Sequence, residues 1–125
     1  MKPGHTHLPA DCRAISDVLA RIGDKWSVLV VSRLGDGPLR FNELRRTIGG
    51  ISQRMLTLTL RGLERDGLIT RTVTPTVPVT VTYELTDLGL SLHQLMRGLK
   101  TWAETHMDDV LANREAYSRT DGSTQ

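Results

Sequence analysis

Between Asp11 and Ile22 the apolar residues Ala14, Ile15, Val18, Leu19 and Ile22 fall three and four apart, the spacing of one helical face. Gly23 stops this helix. Asp24 supplies a cap for a second helix over Lys25 to Leu34, with Trp26, Leu29, Val30 and Leu34 as its apolar stripe. Gly35, Asp36, Gly37 and Pro38 read as a turn. Phe41, Leu44 and Ile48 mark a short third helix, which Gly49-Gly50 breaks because glycine takes backbone angles that other residues avoid. Ser52 is placed to cap a fourth helix that ends at Gly67. Met55, Leu56, Leu60 and Leu63 form its apolar face, and Gln53, Arg54, Thr57 and Arg61 form the opposite one. A helix, a glycine turn and a second helix with a basic outer face make a helix-turn-helix pattern.

The period changes after Gly67. Leu68 to Thr74 and Thr80 to Leu85 alternate, with Val81, Tyr83 and Leu85 on one side, and their Thr and Val content suits strands. Pro75 and Pro78 bracket a loop that cannot extend the ladder, so the two runs predict a β-hairpin, a wing placed directly after the fourth helix. Thr86 is placed to cap a long final helix. Its residues Leu88, Leu92, Leu95, Leu99, Trp102 and His106 step by four and three alternately, the seam of a helix that packs lengthwise on another. Leu88 and Leu92 are assigned to the chain's own core. Leu95, Leu99, Trp102 and His106, with Ile15 and Leu19 of the first helix, are assigned to contact with a second copy. The alternative is that the whole seam packs on the chain's own first helix. Residues 1–10 are expected to be a flexible tail, 11–107 the winged domain with its terminal helices, and 108–125 a polar extension that frays beyond Leu111.

Composition adds little until it is resolved along the chain. A length of 125 residues fits one domain, and with only 4% aromatic residues its core must be built mainly from Leu, Val and Ile. The net charge of +2 is uninformative, but Arg40 to Arg71 holds seven basic against three acidic residues, whereas Glu104 to Asp121 holds five acidic and two basic. The basic excess coincides with the two-helix unit, as a phosphate-binding surface requires. The single cysteine, Cys12, excludes an intrachain disulfide. No apolar run reaches the roughly 18 residues of a membrane span. No signal-peptide segment opens the chain, so a cytoplasmic protein without a membrane partner is expected.

The ordered blocks IGDKWSVLVVSRL (Ile22 to Leu34), GPLRFNELRR (Gly37 to Arg46), GISQRMLTLTLRGLERDGLITR (Gly50 to Arg71), TPTVP (Thr74 to Pro78) and YELTDLG (Tyr83 to Gly89) resemble the HxlR family of bacterial winged-helix regulators, relatives of the MarR group. The resemblance covers about Cys12 to Trp102. It implies a mainly α fold with a small β-hairpin wing (α+β), a winged helix-turn-helix that dimerises through its terminal helices and binds operator DNA as a homodimer. It also implies that a cysteine at the head of the first helix, here Cys12, senses oxidants or electrophiles. A helix start favours an anion such as a thiolate; the other reading of Cys12 is a half-buried, inert thiol. The sequence departs from the family in its second wing strand, where Val79-Thr80-Val81-Thr82 has no charge.

The candidate chemistry is therefore DNA recognition. Gln53 can pair with adenine and Arg54 with guanine, each through two hydrogen bonds, and Thr57 can meet a thymine methyl or a phosphate. Ser52, Arg61, Arg40, Asn42, Arg45 and Arg46 are expected to contact or flank the backbone, with Thr76 as the wing's contribution. No cofactor and no metal are expected: His5 and His7 with Cys12 fit no strong metal site, and His93 is expected to face solvent. No nucleophile elbow or phosphate loop points to an enzyme. The expected function is a homodimeric regulator reading an inverted repeat of double-stranded DNA. Its control would come from an oxidant at Cys12 or a small molecule between the winged unit and the dimer helices. The alternative is a protein–protein adaptor on a winged-helix scaffold.

Overall fold

The computed structural model of the chain describes residues 10–123. The expected tail, with His5 and His7, lies outside them except for Ala10, which starts the first helix. The elements are α1 (Ala10–Gly23), α2 (Lys25–Leu34), β1 (Leu39–Arg40), α3 (Phe41–Ile48), α4 (Gln53–Arg65), β2 (Ile69–Thr74), β3 (Thr80–Leu85) and α5 (Asp87–Ser123). They divide into two units, Met1–His93 and Gln94–Gln125. Among the described residues, no helix is long and apolar enough to cross a membrane.

The capping residues set each helix of the first unit in place. Asp24 accepts from the backbone N–H of Ser27 at 3.0 Å and from its hydroxyl at 2.7 Å. With its hydroxyl satisfied, Ser27 can be fully buried. The inward face of α2 is accordingly Ser27, Val30, Val31 and Leu34, while Trp26 and Leu29, expected in the stripe, are only half-buried. Glu43 accepts from the Arg40 N–H at 2.8 Å and fixes the start of α3. Gly49 and Gly50 have φ of 69° and 75°, the left-handed region that an L side chain resists. Ser52 caps α4 by accepting from the Met55 N–H at 3.0 Å. The α4 core face is Leu56, Thr59, Leu60 and Leu63. Met55, expected on that face, is 40% exposed. Thr59 takes the inner place because its hydroxyl bonds the Met55 carbonyl at 2.8 Å and leaves its methyl to pack.

Helix α4 ends in a left-handed turn. The Gly67 N–H bonds Glu64 and the Leu68 N–H bonds Leu63, the paired closure that lets the chain reverse into β2. The sheet has the order β1-β3-β2 and is antiparallel throughout. Strands β2 and β3 pair from Ile69↔Leu85 to Thr74↔Thr80, the hairpin expected as the wing. Strand β1 is an addition, pairing Leu39 with Tyr83 and Arg40 with Thr82; two residues are too short to show a period in the sequence. Only the hairpin root is covered, since Ile69 is buried and Thr70 to Thr74 are exposed.

The start of α5 corrects two expectations. Leu92 is buried as expected, but Leu88, assigned to the core, is 57% exposed. The reason is Gly89, whose backbone lies so near Leu68 that an added Cβ would sit 2.0 Å from the Leu68 carbonyl oxygen. Thr86 locks this approach, donating its hydroxyl to the Gly67 carbonyl at 2.7 Å and accepting from the Gly89 N–H at 3.0 Å. With Gly89 turned inward, Leu88 lies about 100° around the helix and points to solvent. His93, expected in solvent, is half-buried with its ring against Gly35, where an added Cβ would meet Nε2 at 2.1 Å.

In the second unit the helix continues to Ser123. The helix thus runs past Leu111, where fraying is expected from the sequence, and side-chain hydrogen bonds to residues four positions back lie along its last turns. Asn113 donates to the Asp109 carbonyl at 2.8 Å and Arg119 pairs with Glu115 at 2.6 Å. Leu95, Leu99 and Trp102 are 53%, 48% and 57% exposed. The half-buried ring of His106 lies 5.0 Å from that of Trp102.

Candidate nucleic-acid interface

Because Leu56, Thr59, Leu60 and Leu63 turn inward, the other side of α4 is free. Gln53, Arg54, Thr57, Leu58 and Arg61 surround a shallow depression of about 570 Å³ there. The structure thus brings four of the expected DNA-contact residues together at the start and middle of one helix. Ser52 stands beside them with its hydroxyl engaged in the cap. The sequence reading missed Leu58, which is 48% exposed between the polar side chains. Its place one turn after Arg54 on the same helical row was a usable signal, overlooked because the residue is apolar.

A second cluster forms where α3 faces the wing. Arg40, Asn42 and Arg46 line a groove of about 490 Å³ with the wing segment Pro78 to Val81. Asn42 and Arg46 also border a hollow of about 410 Å³ with Arg45. Across the groove from the uncharged second wing strand stand Arg40 of β1 and the oppositely charged Glu43 and Arg46 of α3. Thr76, at the hairpin tip, is exposed, but its hydroxyl is engaged within the loop. It lies 2.8 Å from the Pro78 carbonyl and 2.9 Å from the Thr80 hydroxyl, which leaves it little to offer a ligand.

The arginines of these clusters are without carboxylate partners among the described residues. Arg21, Arg65 and Arg119 are in ion pairs. Among the described residues, Arg40, Arg45, Arg46, Arg54, Arg61 and Arg71 are in none. Six guanidinium groups without carboxylate partners among the described residues give this unit a positive surface of the kind that attracts anions.

The remaining candidates lie elsewhere. Cys12 is exposed in the first turn of α1. Ile15 and Leu19 on the same helix are 59% and 58% exposed, and so leave its apolar face uncovered. Helix α1 is tied to α4 at its far end. Arg21 bonds Asp66 at 3.0 Å, and its guanidinium lies over Gly62.

Comparison with known proteins places these features among relatives. Residues 21–111 match the HxlR-like helix-turn-helix family. The HTH-type transcriptional regulator YtfH of Escherichia coli (strain K12) is 40% identical over 99 residues, 79% of either chain. Among solved structures, the redox regulator HypR in its reduced form is 40% identical with a TM-score of 0.72, over 79% of this chain and 98% of that one. The reduced form of the transcriptional regulator YodB from B. subtilis is 36% identical with a TM-score of 0.67, over 74% of this chain and 91% of that one.

Proposed function

The chain belongs to the HxlR-like helix-turn-helix family, and from that premise we propose that it is a homodimeric transcriptional regulator reading an inverted-repeat operator through α4. The observation that carries this reading is the outward face of α4, where Gln53, Arg54, Thr57 and Arg61 surround one depression and neither arginine has an ion-pair partner among the described residues. A major groove admits one helix, and each base pair presents there a distinct set of donors and acceptors. Gln53 is suited to the N6/N7 edge of adenine and Arg54 to the O6/N7 edge of guanine. Arg40, Asn42, Arg45 and Arg46, grouped along α3 and the wing groove, hold the flanking phosphates and so fix the register. Two copies related by a two-fold axis place two α4 helices on half-sites about 10 base pairs apart, or a multiple of that.

Arg54→Ala tests the base-reading assignment. Affinity for a selected operator is expected to fall by about 1–3 kcal/mol while affinity for random duplex changes little, measured by fluorescence anisotropy at fixed salt. Equal loss on both duplexes would move Arg54 to the phosphate contacts.

The control of binding is assigned to Cys12. HypR is described as a redox regulator, and Cys12 is the single thiol of this chain, exposed on the helix that carries the uncovered apolar face. An oxidant that takes two electrons and two protons joins its sulfur to a second thiol, from the other protomer or a small thiol. Movement of α1 then reaches the recognition helix through Arg21 and Asp66. Cys12→Ser is expected to bind the operator like the wild type under reducing conditions and to stay bound when a thiol oxidant releases the wild type. Oxidant release of both proteins alike would remove Cys12 from the signal path.

A further inference from the structure

A second cleft adjoins the reading face. It has a volume of about 320 Å³, opens between α4 and the hairpin, and is lined by Thr57, Leu60, Arg61, Glu64, Arg71 and Tyr83. Leu60 and Tyr83 form its floor, 2% and 8% exposed. Arg61 comes from α4. Arg71 comes from β2, where it pairs in register with Tyr83. Both arginines are exposed, and neither has a carboxylate partner among the described residues. Glu64 shares the cleft and is likewise in no ion pair. Two guanidinium groups and one carboxylate leave the cleft with a surplus positive charge. An anion entering between the arginines would gain charge-assisted hydrogen bonds that the free protein lacks.

We propose that this cleft is a phosphate-binding site, filled by a backbone phosphate of the duplex whose major groove α4 enters. The assignment rests on the DNA-reading function above. Position selects DNA as the source of the phosphate, because Thr57 and Arg61 line both this cleft and the reading depression. A duplex seated on one therefore lies against the other. The cleft gives the hairpin a backbone contact at its root, through Arg71, where its second strand has no charge of its own between residues 79 and 82. The contact carries no base information and fixes the angle at which α4 lies in the groove. Glu64 moderates the attraction.

The test is the salt dependence of DNA binding by full-length wild type, Arg71→Ala and Glu64→Gln, on operator and random duplexes. Removing one phosphate contact lowers the slope of log K against log salt by about 0.9, which at 0.1 M salt is roughly an 8-fold weakening. Arg71→Ala is expected to show that loss equally on both duplexes. Glu64→Gln is expected to tighten both, an outcome that a merely structural role for the cleft does not produce. Wild type that binds DNA beside an Arg71→Ala variant with unchanged slope and affinity overturns the cleft alone. Wild type that binds no duplex overturns the DNA-reading function beneath it. A third arm adds inorganic phosphate without DNA. If it raises the melting temperature of wild type but not of Arg71→Ala, while the two bind DNA alike, the cleft holds a free anion and not the duplex.

Discussion

Leu99→Asp is expected to convert the protein from a dimer to a folded monomer and to abolish tight binding to an inverted repeat. Leu95, Leu99 and Trp102 lie about half exposed on α5, at the spacing of a helix–helix seam. If that seam meets a second copy across a two-fold axis, each substitution acts twice. Burying a leucine side chain contributes about 1.5–3 kcal/mol, so losing the pair costs roughly 3–6 kcal/mol of dimer stability, before the cost of burying a carboxylate. That is about 10²–10⁴-fold in the dimer dissociation constant. The substitution is tolerated by the monomer because Leu99 is 48% exposed there. Sedimentation velocity across a concentration series reads the oligomeric state, and binding to full and half operators reads its consequence. A variant that sediments as wild type does would place the dimer contact elsewhere.

Gly89→Ala is expected to destabilise the fold by roughly 3 kcal/mol, against what helix propensity predicts. A glycine inside a helix is about 1 kcal/mol worse than alanine, so from the sequence this change looks stabilising. The structure reverses the sign. The new methyl would stand 2.0 Å from the Leu68 carbonyl oxygen, a backbone atom that also accepts the Thr86 N–H at 3.0 Å and cannot move freely. Helix α5 must lift from the hairpin root and uncover Leu85 and Leu92, both now buried. Gly98 on the same helix provides the control, in the monomeric Leu99→Asp background, since nothing of the same chain lies within 4 Å of an added Cβ there. Gly98→Ala should raise the melting temperature by a few degrees, whereas Gly89→Ala should lower it by about 10 °C, read by circular dichroism. A rise for Gly89→Ala would show that α5 does not start against Leu68.

The contrast between the two glycines also shows how much of the molecule was legible before its structure. The caps were legible because they act over three residues. Asp24, Ser52 and Thr86 each hold a backbone N–H three positions on, within the same short segment. The breaks at Gly49-Gly50 and Gly67 were legible because left-handed backbone is intrinsic to glycine. Most of the candidate site was legible for the same local reason. Once α4 is a helix, Gln53, Arg54, Thr57 and Arg61 share its outer face. Errors arose where one helical step decides the matter. Met55 and Leu88 both adjoin a buried residue, Leu56 or Gly89, and which neighbour faces the core depends on rotation of the whole helix by about 100°.

By itself, then, the sequence determined the order and type of the helices, the glycine turns, the wing and the basic character of the outer face of α4, because each follows from contacts within a few residues. Only the tertiary structure decided how far each helix is turned about its axis, that Leu39–Arg40 joins the sheet, and that Arg71 comes beside Arg61 across a cleft. Those outcomes depend on segments distant in sequence excluding one another from the same space. The approach of Gly89 to Leu68, twenty-one residues away, is set in that way.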